Sequence, residues 1–277
     1  MKIGVSLVQF DRDHMNKAKN VEHMLSILSR IENTDITCLP EIWTGGILET
    51  NEYESLLLSL SEIANKNNYN LLTGGLFNRR ENKIFDTSHL INRTGKIIGF
   101  SDKRFPSAAT GEREFVYPGK ESPIFTVDGV KIGVVICVDA IYPEIARHLA
   151  LKGADIIFNP SDIPDNRNDL WKYISVARAA ENTVFYVYVN NTNTYYPDGR
   201  KVTGHSVVVT PDGELILEAE EEEGVFQITL DLDQIDFVRK RWRYINDIRP
   251  LWKPLNRVFQ QPFLDLNSTK NTGVKLD

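Results

Sequence analysis

The chain alternates between two periods of hydrophobicity. Residues 3–10 form a nearly unbroken apolar run of strand length, which predicts a buried strand. Residues 15–31 switch to helical spacing, with Val21, Met24, Leu25, Leu28 and Ile31 on one face. The same reading predicts strands over 36–39, 71–76, 88–92 and 96–100, and a helix over 53–64. Residues 101–122 lack either period and contain Pro106, Gly111, Pro118 and Gly119, so they read as a long functional loop. Strands resume over 123–127 and 130–137, joined by Asp128-Gly129, a strong hairpin signal. A helix is expected over 143–152, opened by Pro143 in its first turn. It is followed by a strand over 156–159, a helix over 171–182 and a strand over 184–190. The last part reads as a hairpin, 205–210 with 214–217 around Pro211-Asp212-Gly213, then a strand over 225–230 and a helical stretch from Asp231. Alternating helices and strands, some strands paired as hairpins, predict an α/β protein with packed sheets. No linker interrupts the pattern, so one domain over 1–277 is expected.

Composition narrows this picture. With 42% hydrophobic residues in 277, a sizeable core is available. A net charge of −6 argues against a nucleic-acid binder and gives no reason to expect an anionic membrane as partner. The N-terminal run lacks the pattern of a signal peptide, and no run reaches transmembrane length. Two cysteines, Cys38 and Cys137, both in apolar strand-like runs, suggest a reduced, cytoplasmic setting. The acidic run Glu218-Ala219-Glu220-Glu221-Glu222-Glu223 reads as a solvated turn.

Chemistry concentrates at strand ends. Cys137 closes an apolar run and precedes Tyr142-Pro143-Glu144, so a thiol stands where a strand turns into a helix. A backbone N–H at such a turn is free to meet an oxyanion, and that of Val138 is the natural donor. A thiol needs a base. None of the five histidines lies in a Cys–His protease context, whereas Glu41 follows Leu39-Pro40 at a strand end. There a carboxylate shielded from water would have a raised pKa and could shuttle protons. Lys103, in Ser101-Asp102-Lys103-Arg104, supplies a fixed cation. Cys, Glu and Lys in these places suggest an amide-cleaving thiol enzyme. Cys38 reads as a core residue, Asp139 as a cap for the following helix, Arg178 and Glu181 as an ion pair one turn apart, and Trp171 as packing or pocket lining.

Taken together, Leu39-Pro40-Glu41, Asp102-Lys103-Arg104 and Ile136-Cys137-Val138-Asp139 resemble the nitrilase superfamily of carbon–nitrogen hydrolases, which carry a Glu-Lys-Cys triad. The stretches 149–155 and 177–182, Gly204-His205-Ser206 and Pro211-Asp212-Gly213 extend the resemblance over most of the chain. The resemblance implies an αββα sandwich of two central sheets flanked by helices. It also implies assembly into a homodimer or larger homo-oligomer, with the tail from about residue 255 reaching its partner, and no metal or organic cofactor. It assigns Glu41, Lys103 and Cys137 as catalytic, with Lys103 and the Val138 N–H forming the oxyanion hole. A second glutamate is implied in Gly111-Glu112-Arg113-Glu114-Phe115; Glu112 is chosen, with Glu114 as the alternative. Tyr142, Asn159 and Ser161 are pocket candidates. The start of the Lys segment looks most like the bacterial ω-amidase branch. Members acting on α-keto or carbamoyl acids often carry an Arg three residues after the Cys; Ala140 stands there, as in a site for small uncharged amides. Phe105-Pro106 replaces the usual His-Leu after the Lys. The expected reaction is cleavage of a small amide to acid and ammonia through a thioester. The alternatives are an N-carbamoyl hydrolase, a nitrilase, and a silent binding or scaffold subunit.

Overall fold

A computed structural model describes residues 1–14 and 16–251. The expected role of the tail from about 255 and the expected helix start at Met15 fall outside them. The first sheet is built on β1 (Lys2–Asp11), with β2 (Ile36–Cys38) and β3 (Asn70–Leu72) parallel to it in turn. Antiparallel β4 (Leu76–Arg80), β5 (Lys83–Ile91) and β6 (Ile97–Asp102) extend it, β5 pairing with β3, β4 and β6. The second sheet contains β7 (Ile124–Val127), β8 (Val130–Val134), β9 (Ile156–Pro160) and β10 (Phe185–Val189). Short β11 (Asn191–Thr192) continues β10 onto β1, and β12 (Thr194–Tyr195) pairs with β13 (Lys201–Val202). The second sheet is completed by β14 (Val207–Val209) and β15 (Leu215–Glu218). The chain then returns to the first sheet as β16 (Gly224–Asp231), antiparallel to β1 along eight residue pairs.

Alternation along β1 shows how the layers stack. Ile3, Val5 and Leu7 join a core shared with Ile132, Ile156, Phe158 and Val187 of the other sheet. Val8 and Phe10 point the opposite way, toward Met24 and Leu28 of α1 (Lys17–Leu28) and Leu56 and Leu60 of α2 (Thr50–Asn67). Helices α3 (Pro143–Leu151) and α4 (Asn168–Asn182) cover the second sheet with Ile145, Leu149 and Ala179. The order helix, sheet, sheet, helix is the sandwich expected above. Each fully buried aliphatic side chain in these layers contributes about 1.5–3 kcal/mol of transfer free energy. Two short helices, α5 (Asp233–Arg241) and α6 (Tyr244–Ile248), follow, then a 3-10 turn, Arg249–Leu251, and Ile235 and Ile245 join the same buried cluster.

Several boundaries differ from expectation for local reasons. The run over 71–76 is two strands, because Gly74 adopts a positive φ of 69° between them. The second of these pairs with β5 across Glu81-Asn82, both at positive φ, a hairpin that its residue types did not announce. By contrast, Asp128-Gly129 turns β7 into β8 as expected, both residues at positive φ. The run over 130–137 stops pairing at Val134, and Cys137 begins a 3-10 turn, Cys137–Ile141. Residues 101–122 contain a further turn, Glu112–Glu114. The acidic run is more than a solvated turn. Gln9 Nε2 donates to the carbonyls of Glu220 and Glu222 at 2.6 and 2.8 Å, so the backbone of the run is tied to β1, while Glu218 pairs with Lys172 at 2.7 Å and Glu223 with His23 at 2.9 Å. Gly74 tests the frame most directly: a Cβ there would lie 1.8 Å from the Pro40 carbonyl oxygen. Gly74→Ala should destabilise the protein by about 3 kcal/mol or more, read as a lowered urea-unfolding midpoint.

Candidate active site

Four chain segments deliver the candidate residues to one buried place. Glu41 lies just beyond β2, 1% exposed. Its N–H donates to the Ser161 carbonyl at 3.1 Å, and its carbonyl accepts from Asn191 Nδ2 at 2.7 Å. The next residue, Ile42, is β-branched yet sits at φ 51°, a conformation retained only because the surroundings impose it. Its N–H donates to the Gly75 carbonyl at 2.7 Å, which anchors this turn to the break between β3 and β4.

Lys103 follows β6 and is fully buried. Its backbone N–H donates to the Asp86 carbonyl and its own carbonyl accepts from Gly119, both at 2.8 Å. The ammonium Nζ lies 2.7 Å from Glu41 Oε1 and 2.7 Å from Glu112 Oε2, with Asp86 Oδ2 at 3.5 Å. Glu112 is held in turn by the Ser107 N–H at 2.7 Å and the Thr110 hydroxyl at 3.1 Å. Of the two glutamates considered, Glu112 is the one on the lysine, while Glu114 is exposed.

Cys137 stands at the start of its 3-10 turn at φ 47°, in the left-handed region that a non-glycine residue occupies at a cost. The turn's own bonding starts with the Asp139 N–H on the Ile136 carbonyl, so the N–H groups of Cys137 and Val138 lie ahead of it. Asn159 braces the bend: its Nδ2 donates to the carbonyls of Val135 at 2.6 Å and Cys137 at 3.3 Å. Asp139 does not cap α3 as expected; Tyr142 occupies that position. Its carboxylate instead accepts the backbone N–H groups of Arg104 and Phe105, each at 2.8 Å. The residue two after the thiol therefore grips the two residues following the lysine. Arg178 pairs with Glu181 at 3.0 Å as expected and also donates to the carbonyls of Ala140 and Ile141.

The pocket candidates divide. Tyr142 is half-buried and stacks on Phe105 with ring centroids 3.8 Å apart. Asn159 and Ser161 are fully buried, and their observed bonds support the backbone around Cys137 and Glu41. Trp171 is buried within the core cluster, which favours packing over lining. Two further neighbours complete the site: Asp162, in the stretch Asn159-Pro160-Ser161-Asp162 that the resemblance sets near the pocket, and Asp86, which the sequence reading missed. Asp162 offers its backbone N–H to the Cys137 sulfur, and its carboxylate pairs with Arg12 at 3.0 Å. Asp86, in the middle of β5, is a fully buried third carboxyl beside Lys103. Its one sequence signal is an acidic residue inside a run, Ile84-Phe85-Asp86-Thr87, that otherwise reads as strand.

The electrostatics follow from burial and proximity. Burial pushes the Glu41 carboxyl up; Lys103 opposes this and the charge of Glu112 adds to it. Burial pulls the Lys103 ammonium down, but Glu41 and Glu112 outweigh that and hold it well above its ordinary value. The Cys137 thiol is pushed well up by burial and by Glu41, with Lys103 acting the other way. A resting thiol beside a base, a fixed cation and free backbone N–H groups can attack a carbonyl carbon and stabilise the oxyanion formed.

The profile of the carbon-nitrogen hydrolase family matches residues 4–240, and the chain belongs to that family. The 2-oxoglutaramate amidase of Bacillus subtilis is 29% identical over 257 residues, covering 90% of this chain and 98% of the relative. A protein named hydrolase in agr operon, from Staphylococcus lugdunensis, is 32% identical over 218 residues, covering 76% and 92%. The crystal structure of Nit3 from Saccharomyces cerevisiae, a member of branch 10 of the nitrilase superfamily, matches with a TM-score of 0.78 at 28% identity, covering 87% of this chain and 94% of that one.

Burial distinguishes the two thiols. Cys38 is fully enclosed, and burial alone pushes its thiol up. Cys137 is 6% exposed, and the charges of Glu41 and Lys103 both act on its thiol. A small uncharged alkylator should therefore modify Cys137 and leave Cys38 intact in the folded protein, as read by peptide mass spectrometry.

Proposed function

We propose that the protein is an amidase that cleaves a small amide to a carboxylic acid and ammonia through a Cys137 thioester. The observation that carries this reading is the Lys103 ammonium, 2.7 Å from both Glu41 and Glu112 and electrostatically coupled to Cys137. Glu41 takes the Cys137 proton and the thiolate attacks the amide carbon. Lys103 and the Val138 N–H hold the oxyanion. Glu41 then protonates the leaving nitrogen, ammonia departs, and Glu41 activates the water that hydrolyses the thioester. Glu112 keeps Lys103 and the leaving nitrogen aligned.

The amidase names of relatives in Bacillus subtilis and Saccharomyces cerevisiae support amide over nitrile as substrate. Ala140, buried beneath the elbow, supports a substrate with no carboxylate to be read at that position. The Phe105–Tyr142 stack, packed against the core cluster that includes Cys137, fits an apolar substrate wall. We read the whole chain as one catalytic domain, since β16 returns to pair with β1 along its length. Two free cysteines fit a reduced cytoplasmic setting, and among the described residues no helix is long and apolar enough to cross a membrane. Exposed Ile141, Leu170 and Tyr173 around α3 and α4 fit a homodimer or larger homo-oligomer.

Small primary amides, ω-amides of keto acids and N-carbamoyl compounds should be assayed for ammonia with CO₂ in parallel. Ammonia without CO₂ is the expected result; CO₂ with ammonia would make the enzyme an N-carbamoyl hydrolase. Cys137→Ala should abolish turnover, and full retention would overturn the mechanism. Lys103→Ala should lower kcat by about 10²–10³-fold, the usual loss for one oxyanion donor. Because Glu41 must be ionised to accept the thiol proton and burial raises its pKa, activity should fall with acidification at a pH above the ordinary carboxylate range.

A further inference from the structure

The site holds one more acid than the proposed chemistry uses. Asp86 is fully buried at the centre of β5, and neither carboxyl oxygen has an N–H or hydroxyl donor among the described residues. Lys103 Nζ, at 3.5 Å, is already engaged by Glu41 and Glu112 at 2.7 Å each. What the Asp86 carboxyl faces is the carboxyl of Glu41: both lie against Lys103 Nζ, Glu41 Oε1 at 2.7 Å and Asp86 Oδ2 at 3.5 Å. Gly75 packs against this pair: a Cβ there would lie 2.6 Å from Asp86 Oδ1 and 2.8 Å from Glu41 Cγ.

Two facing carboxyl groups form a hydrogen bond only if one carries a proton, and charge decides which. Three carboxyls, Glu41, Asp86 and Glu112, surround a single ammonium in a site closed to water, and ionising all three would leave an uncompensated buried charge. The surrounding elements do not relieve this. Arg80 of β4 is taken by Asp102 at 2.7 Å, α2 contributes only the neutral Tyr53, and the elbow brings the thiol of Cys137. Glu41 and Glu112 hold the short contacts to Lys103, so the proton falls to Asp86.

We propose that Asp86 is a positioning residue that keeps its proton through turnover and donates it in a hydrogen bond to Glu41, holding Glu41 ionised and oriented between Lys103 and Cys137. The proposal rests on the reading of Glu41 as the base. The Asp86 proton is not consumed: the proton that moves is the one Glu41 takes from Cys137 and passes to the leaving nitrogen. The energetic direction agrees, since burial first and the charge of Glu41 second hold the Asp86 carboxyl well above its ordinary value, while the bond from Asp86 lowers that of Glu41.

Asp86→Asn and Asp86→Ala separate the possibilities. Asparagine keeps a neutral donor of the same shape. Asp86→Asn should hold kcat/KM within about threefold of wild type and leave the acid limb of its pH profile in place. Alanine removes the donor. Asp86→Ala should lower kcat by about tenfold or more with KM little changed and move the acid limb to higher pH, because an unsupported Glu41 keeps its own proton longer. Infrared difference spectra at neutral pH read the proton without substrate: wild type should show a protonated-carboxyl stretch that Asp86→Asn lacks. Absence of that band would overturn the proposal. So would an Asp86→Asn enzyme as impaired as Asp86→Ala, or destabilised variants whose acid limb has not moved, the mark of a purely structural role. If wild type cleaved no amide at all, the amidase reading would fail, while the infrared band would still decide where the proton lies.

Discussion

An ammonium ion sealed away from water is the constraint on which the rest of this site depends. Moving a lysine into a protein interior costs several kcal/mol unless opposite charges and good geometry compensate. Here the compensation is two carboxylate contacts of 2.7 Å to Lys103, with a third carboxyl at 3.5 Å. Those carboxyls come from different segments: the loop after β2, the middle of β5 and a 3-10 turn beyond β6. The lysine is therefore stable in place only when the whole frame is folded, and the acids are tolerable in place only because the lysine is there.

The same mutual dependence holds Cys137. Cys137 and Ile42 both occupy left-handed conformations that their side chains disfavour, at about 1–3 kcal/mol each. Each is pinned by hydrogen bonds from the opposite side of the site: Asn159 on the carbonyls around Cys137, Ser161 and Gly75 on the backbone around Glu41. Asp139 closes the circuit by accepting the N–H groups of the two residues after Lys103. Glu41, Lys103 and Cys137 are thus fixed relative to one another through backbone bonds, which is how a site can be oriented before substrate enters.

Membership of the carbon-nitrogen hydrolase family agrees with this arrangement. Ala140 is buried within the turn that Cys137 opens, and Tyr142, which follows that turn, stacks on Phe105.

Much of this was legible along the chain. Strand and helix periods are local, so the elements, the Asp128-Gly129 turn and the Arg178–Glu181 pair could be read from spacing, while the order of the layers came from the family resemblance. Glu41, Lys103 and Cys137 stood out because each ends a strand and matches a family motif. What spacing could not show is contact between segments far apart in sequence. The hairpin at Glu81-Asn82 and the break at Gly74 depend on what packs against them. Asp139 looks like a helix cap from its neighbours, and only the folded chain reveals that it grips the loop 35 residues before it. Asp86 looks like one acid in a strand, and its meeting with Glu41 and Lys103 arises only when β5 is laid beside them. Local periodicity determined the elements and the candidate thiol, base and cation. The tertiary structure alone decided how many charges share the site, because burial and proximity are properties of the packed chain.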